Sequence, residues 1–471
     1  MEYIIQKLYL ESLSDSYLYL FSFFCRYHFD VEVMEMDDFR IQSLPERKFI
    51  VFVCSTTGQG EEPDNMKNFW KFMLRKDLPK NSLIMMQFGV LGLGDSSYPK
   101  FNFAAKKLHK RLLQLGADAI MSPGLADDQH DLGPDAVVNL WLEEFWQKTL
   151  LMFPLPEGLL PLDKKILLPS KYSVQTISEV ESNQDKDLDG QSTFSMKNPY
   201  FASVTENRKV TPSDHFQDVR LISFDLKDSG ITYSPGDVAM IQPHNSEENV
   251  DKFFEVFHHL DRNQKLILKP NSSETKMPLP WILKMPFTLE SCVRHYWDLQ
   301  CVPRRYFFEL LAKFSTDDLE QEKLEELSSS EGQQDLFTYC NRPRRTLMEV
   351  LYDFSKSACK VPIAYLFDLI PVIKPRAFSI ASSLKVTSNL FAETTYCTSS
   401  LTFNMSVQVN PQQLQVLVAV VEYKTKLSEP RQGLCSKWLS LLTPGKKVPL
   451  WIRKGTLRFP SDPVIILYLF E

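Results

Sequence analysis

Two glycine-bearing loops, each tied to an apolar run, constrain this chain more than any other feature. Ser55-Thr56-Thr57-Gly58-Gln59-Gly60 follows the run 49–54, and Leu93-Gly94-Asp95-Ser96-Ser97-Tyr98-Pro99-Lys100-Phe101-Asn102 closes the run 88–93. Both runs read as buried strands and both loops lead into helical patterns, which places the loops at the carboxyl edge of a parallel sheet. Doubly wound sheets bind mononucleotides at that edge. Small hydroxyl and glycine residues let backbone N–H groups approach a ligand, while Tyr98 and Phe101 offer planar faces to a flat ring. A flavin requires both kinds of contact. Either loop alone is an ordinary strand-to-helix connection; the ordered pair is the signal.

At 471 residues the chain has room for about two to four domains, and 44% hydrophobic residues let each bury a core. The net charge of −6 argues against general nucleic-acid binding. The eight cysteines form no Cys-x-x-Cys pair and no cluster with the eight histidines, so no metal or iron–sulfur site is expected. Reduced thiols fit a cytoplasmic location. The apolar stretch 17–25 is flanked by Glu11, Asp15 and Arg26, is too short to span a bilayer, and has no small-residue cleavage site after it. No membrane role is expected.

Met66, Phe69, Trp70 and Met73 share one helical face, as do Ala104, Leu108, Leu112 and Leu115, and a further helix runs over about 136–152. Strands alternating with helices predict a parallel sheet over 1–153, with an atypical first 25 residues. Prolines and the polar run 182–187 make 154–198 a linker. Strand patterns at 216–226 and 238–243 bracket the turn Tyr233-Ser234-Pro235-Gly236-Asp237, and helical periodicity fills 247–354 before strands return. The expectation is an antiparallel barrel over 199–246 and 355–461 that carries a helical insert.

Two further motifs bear chemistry. Arg376-Ala377-Phe378-Ser379 sets a cation, a ring and a hydroxyl on one strand, with Arg376 and Phe378 on the same side. Gly433-Leu434-Cys435-Ser436 precedes a short helix predicted to start near Lys437, and free N–H groups at a helix start suit a pyrophosphate.

In order along the chain, residues 54–70, LGLGDSSYPKFN, YSPGD, CNRPRR, RAFSIASS and GLCS make it resemble the diflavin reductases over about residues 26–466. The resemblance implies a flavodoxin-like FMN domain, an FAD-binding barrel with a helical insert, and NADPH as electron donor. By that likeness Ser55, Thr56, Thr57, Gly58, Leu93 to Asn102 and Asp128 hold FMN. Arg344, Arg376, Ala377, Phe378, Ser379, Gly433, Leu434, Cys435 and Ser436 hold FAD. Phe378 lies against the ring, the two arginines neutralise the pyrophosphate, and Ser379 bonds near the ring's reactive edge. Flavins perform the electron chemistry, so no catalytic side chain is expected.

The nearest likeness is to a cytosolic member that serves iron–sulfur protein assembly, with anamorsin, an iron–sulfur protein, as acceptor; a haem protein stands as the other acceptor class. Three departures accompany it. The glycine-rich FMN phosphate loop is not found before Gly58, where Ser12, Ser14 and Ser16 supply only hydroxyls, and about 391–412 is an insertion. Residues 462–471 resemble only the start of an NADPH domain. On this reading the chain does not oxidise NADPH alone, and a non-catalytic flavin-binding or acceptor-docking fragment is the alternative. Glu61, Glu62, Asp64, Asp127, Asp128 and Asp131 would steer a basic partner or the chain's own second unit, or form an ordinary solvated surface.

Overall fold

The run 49–55 is rich in β-branched and aromatic residues and is buried for six of its seven positions, as a strand with neighbours on both sides must be. The structure, a computed structural model, describes residues 2–6, 26–58, 60–163, 166–177, 194–272, 275–382, 394–398, 401–405 and 412–455. The expectations for Ser12, Ser14, Ser16, the stretch 17–25 and residues 462–471 lie outside the described residues.

The first unit is a parallel sheet. Its strands are β1 (Glu2–Gln6), β2 (Asp30–Val33), β3 (Phe49–Ser55), β4 (Gln87–Gly94) and β5 (Asp118–Ala119), in the order β2-β1-β3-β4-β5, with β6 (Gly124–Asp127) also pairing with β4. β1 is an interior strand, parallel to its neighbours β2 and β3. The helices Lys67–Met73, Phe103–Gln114 and Asp135–Met152 bury Phe69, Leu108, Leu112, Trp141 and Phe145 in the core of this sheet.

The later strands are β7 (Tyr172–Ile177), β8 (Tyr200–Lys209), β9 (Val219–Asp225), β10 (Val238–Ile241), β11 (Lys265–Pro270), β12 (Phe287–Thr288), β13 (Arg376–Ser379), β14 (Thr394–Thr398), β15 (Leu401–Met405), β16 (Gln413–Ala419), β17 (Glu422–Tyr423), β18 (Arg431–Gln432) and β19 (Lys447–Arg453). Six of them form an antiparallel sheet in the order β13-β10-β19-β8-β9-β16 around a core that includes Ile222, Phe224, Val416 and Leu450. Where a barrel was expected, the described residues form no closed barrel but this open antiparallel sheet. Its edges meet through one bridge, Ile380 to Val416, and the Ala381 N–H donates to the Gln415 carbonyl at 2.8 Å.

Three boundaries differ from the sequence reading. Tyr172–Ile177, inside the predicted linker, pairs with β11, because Tyr172 and Leu266 bury their side chains in the core of the helical insert. The insert itself contains β11 and β12, and its helices continue past residue 354 to Ile363–Leu369. The described part of 391–412 contains the hairpin of β14 and β15.

Ion pairs join the two units: Asp38 to Lys276 at 3.0 Å, Asp64 to Arg453 at 2.9 Å, Asp135 to Arg304 at 3.3 Å and Glu309 to Arg26 at 3.3 Å. Gln333 adds a bond from its Nε2 to the Leu132 carbonyl at 3.0 Å.

Candidate functional site

The parallel register brings the predicted loops of the first unit together. Ser55 pairs with Leu93, Gly94 pairs with Asp127, and the Asp128 N–H donates to the Gly94 carbonyl at 2.8 Å. Thr56 Oγ1 accepts the Ala104 N–H at 3.2 Å, which fixes the first loop to the start of the helix Phe103–Gln114. Thr57 Oγ1 donates to the carbonyls of Glu61 and Glu62, and Gly58 takes a φ of +49° in the tight turn that results. The Thr57 hydroxyl therefore serves the loop's own backbone, and the Thr56 hydroxyl serves the helix start.

The second loop is preset by carboxylates. Asp95 Oδ1 accepts the Ser97 N–H at 2.8 Å, and Asp127 Oδ1 accepts the N–H groups of Ser96 at 2.8 Å and Gln129 at 3.0 Å. The bonds from Ser97 hold Asp95 below the usual carboxylate range. Burial pushes Asp127 up, but the bonds from Ser96 and Gln129 outweigh it and leave that carboxyl low as well. Asp127 was not singled out as a site residue; an aspartate closing a strand directly before Asp128 was the available signal.

The loop so held leaves Ser96, Ser97, Pro99, Lys100 and Asp128 exposed, with the Tyr98 ring 63% exposed and Phe101 half-buried. Leu93 is a core residue, 4% exposed. Asn102 is fully buried at φ +52°, and its Nδ2 donates to the Ala126 carbonyl at 2.9 Å. A Cβ on Gly92 or Gly94 would lie 2.8 Å from Asn102 Oδ1, so these glycines make room for the asparagine.

In the second unit β13 is an edge strand. Across β10 and β19 its Ser379 lies in one row with Val238 and Arg453, and cross-strand partners share a face. Arg376 and Phe378 occupy the opposite face, with Ile241 and Ala239 of the core beside them. Phe378 is half-buried, while Arg376, Ala377 and Ser379 are exposed. Arg376 donates to the Lys374 carbonyl at 2.9 Å, and its charge reaches Cys435.

The helix Leu434–Ser440 begins earlier than predicted. Cys435 points into the core, where burial pushes its thiol up to about 12 against the pull of Arg376. Ser436 Oγ accepts the Val421 N–H at 3.0 Å, and a Cβ on Gly433 would lie 2.7 Å from that oxygen. Leu434 is half-buried. Arg344, exposed and at φ +53°, is held through its carbonyl, which accepts Arg431 Nη1 at 3.4 Å. The Arg431 guanidinium is buried and pairs with both oxygens of Glu349 at 2.6 and 2.8 Å. Neither Arg431 nor Glu349 was found from sequence, since an isolated arginine and a glutamate 82 residues apart carry no local pattern.

The donor sets differ by site. Two exposed guanidiniums near the start of a helix suit a pyrophosphate, and a half-exposed ring on an edge strand suits a flat heterocycle. The first site presents exposed rings beside a turn closed by carboxylates. Among the described residues no three histidine, cysteine or acidic side chains group as metal ligands, and no helix is long and apolar enough to cross a membrane.

Residues 24–141 match the family model described as flavodoxin, and residues 192–393 match the one described as FAD binding domain. NADPH-dependent diflavin oxidoreductase 1 of Xenopus laevis is 45% identical over 449 residues, 93% of this chain and 70% of the relative. The proteins of that name from Danio rerio and Mus musculus are each 48% identical, over 92% of this chain and 69% of their own length. The chain belongs to the NADPH-dependent diflavin oxidoreductase family. Members of that family are oxidoreductases that carry FMN in the flavodoxin domain and FAD in the FAD-binding domain. In this diflavin oxidoreductase chain the first site lies within the flavodoxin match, Arg344 and Arg376 to Ser379 lie within the FAD-binding match, and Gly433 to Ser436 lie beyond it.

Proposed function

We propose that the chain carries the FAD-to-FMN part of a relay that takes electrons from NADPH to an iron–sulfur protein of the anamorsin type in the cytoplasm, without oxidising NADPH alone. When bound, the flavins supply the electron chemistry, hydride acceptance at FAD and stepwise electron release at FMN. Arg344 and Arg376 would neutralise the FAD pyrophosphate beside the N–H groups at Leu434 to Ser436, the Gly433 N–H being donated to the Val421 carbonyl at 3.0 Å. Phe378 would lie against the FAD ring and Ser379 would hydrogen-bond near its reactive edge, both carried by the edge strand of the six-stranded sheet. Tyr98 and Phe101 cover the FMN ring above the turn at Ser55 to Gly58, with Asp128 at the rim.

The observation that carries this reading is the Asp64–Arg453 ion pair. Asp64 follows the first FMN loop, and Arg453 stands in the same row as Ser379, two strands away on the same face. Strands are spaced by about 4.8 Å, so Arg453 lies about 10 Å along the row from Ser379, and its side chain reaches from there to Asp64 beside the first loop.

The test is transfer from the flavin-loaded chain, reduced anaerobically with dithionite and freed of excess reductant, to an oxidised anamorsin-type protein. Bleaching of the iron–sulfur absorbance, slowed in Tyr98→Ala through loss of FMN, is expected. Replacing a ring stacked on a ligand costs about 1–3 kcal/mol, enough to empty an FMN site of moderate affinity. Reduction of a haem protein with no reaction at the iron–sulfur protein would reject the acceptor.

A further inference from the structure

His244, just past β10, belongs to neither flavin loop, yet it joins the antiparallel sheet to the helix Leu434–Ser440. Its Nε2 lies 2.9 Å from Trp438 Nε1, and its Nδ1 lies 2.9 Å from the Asn245 carbonyl. Indole N–H only donates and a carbonyl only accepts, so the imidazole is neutral with its hydrogen on Nδ1.

The helix bearing Trp438 has other restraints. Ser436 Oγ accepts the Val421 N–H at 3.0 Å, and Asn207 Nδ2 donates to the carbonyls of Leu439 at 3.0 Å and Leu442 at 2.7 Å. These come from the sheet and its loops. The Trp438–His244 bond ties the helix to the insert, because residues 242–245 are knotted to it: Gln242 Nε2 donates to the Ile373 carbonyl at 3.0 Å, and Asn245 Nδ2 to those of Val293 and Trp297 at 2.7 Å each.

The groups facing His244 are His295 and Arg294 on the helix Leu289–His295 and Glu247 on the helix Glu247–Val256. Glu247 is engaged by Arg294 at 2.6 and 2.8 Å. Burial holds His244 below the ordinary imidazole range, with Asn245 and Glu247 pulling back and Arg294 adding to the depression. Burial, then the neighbouring His244 and Arg294, bring His295 to about 4.

We propose that His244 is a positioning residue for FAD, whose neutral ring fixes Trp438 and the helix behind Gly433 to Ser436, and that a proton taken up at Nε2 sets donor against donor and frees this helix, so that acid releases FAD. The proposal rests on the reading of 433–436 as part of the FAD site.

The test measures FAD affinity of the full chain by ultrafiltration and flavin fluorescence between pH 8 and 5. Affinity of the unaltered chain should fall with acid, by about tenfold in all for the loss of one buried hydrogen bond, with most of the fall in the lower part of this range because burial delays proton uptake. His244→Gln, whose amide oxygen replaces the acceptor without titrating, should bind within about threefold of the unaltered chain at pH 7 and lose most of the pH slope. Trp438→Phe should bind about tenfold more weakly at pH 7, with a shallow slope. A wild-type slope in His244→Gln, or wild-type affinity and slope in Trp438→Phe, overturns the proposal. Near-UV circular dichroism, read as the difference between the unaltered chain and Trp438→Phe, separates the two layers. A difference signal that titrates while FAD affinity ignores both pH and Arg376→Ala removes helix 434–440 from the FAD site. A difference signal flat with pH defeats the role of His244 itself.

Discussion

Asn102 shows how a single residue can carry a loop. A non-glycine residue at φ +52° is strained by about 1 kcal/mol, and asparagine tolerates that region better than most. Its Nδ2 satisfies the buried Ala126 carbonyl, so Asn102→Ala leaves that carbonyl without its partner and keeps a Cβ at positive φ without the amide that makes this conformation tolerable. The expected loss is about 2–3 kcal/mol in urea unfolding, against about 1–2 kcal/mol for Asn102→Gly, which loses the bond but relieves the strain. Equal losses in the two variants would mean that backbone strain plays no part. The motif was legible in the sequence, but its internal division of labour was not. Tyr98 and Asn102 sit four residues apart in one pattern, and only the fold shows the first exposed and the second buried.

At the scale of elements, strands with strong apolar patterns were readable, as β3 and β4 and the helices beside them show. β1 was not, because five residues are too short a run to show a clear period, and its place comes from the ladders with β2 and β3. β19 contains Pro449, which argues against a strand until both partners are known. The contact between the insert and the sheet was equally hidden: the Glu349–Arg431 pair joins the helix Leu347–Asp353 to β18. Glu349 also accepts the Thr346 N–H at 2.8 Å in a capping box. Glu349→Gln keeps an acceptor for Thr346 but leaves a buried guanidinium without its counter-charge. About 2–3 kcal/mol should be lost at pH 7, at the low end for breaking such a pair because the carboxylate is partly solvated. Burial raises the Glu349 carboxyl, but Arg431 and Thr346 outweigh it and lower it overall. A lowered folded value means that the stabilisation is complete above the ordinary glutamate range and disappears as pH falls through the folded value. Urea midpoints of the two proteins should therefore converge in acid. A gap that stays constant down to the acid limit would assign the loss to packing.

For the whole molecule the question is how firmly the two units are held face to face. The sequence showed acidic residues near the FMN edge but not their partners, because those lie hundreds of residues away: Asp64 meets Arg453, and Asp38 meets Lys276. All four of these side chains are at least 36% exposed, so each pair contributes about 0.2–1 kcal/mol and is screened by salt. These two pairs therefore hold the contact only weakly, beside the more enclosed Arg26–Glu309 and Arg304–Asp135 pairs. Arg453→Glu sets two carboxylates together at the Asp64 contact and should shift the chain toward an open arrangement. Small-angle scattering should show a larger radius of gyration for this variant at low salt, and about 0.5 M salt should expand the unaltered chain in the same direction, since screening then extends over only a few ångströms. The reciprocal Asp64→Arg, Arg453→Glu double variant restores opposite charges and should return the compact value. If the single variant stays compact at every salt concentration, the buried contacts around Gln333 hold the units together and the ion pairs are incidental. If it expands and the double variant does not recover, the effect belongs to Arg453 in its own sheet and not to its meeting with Asp64.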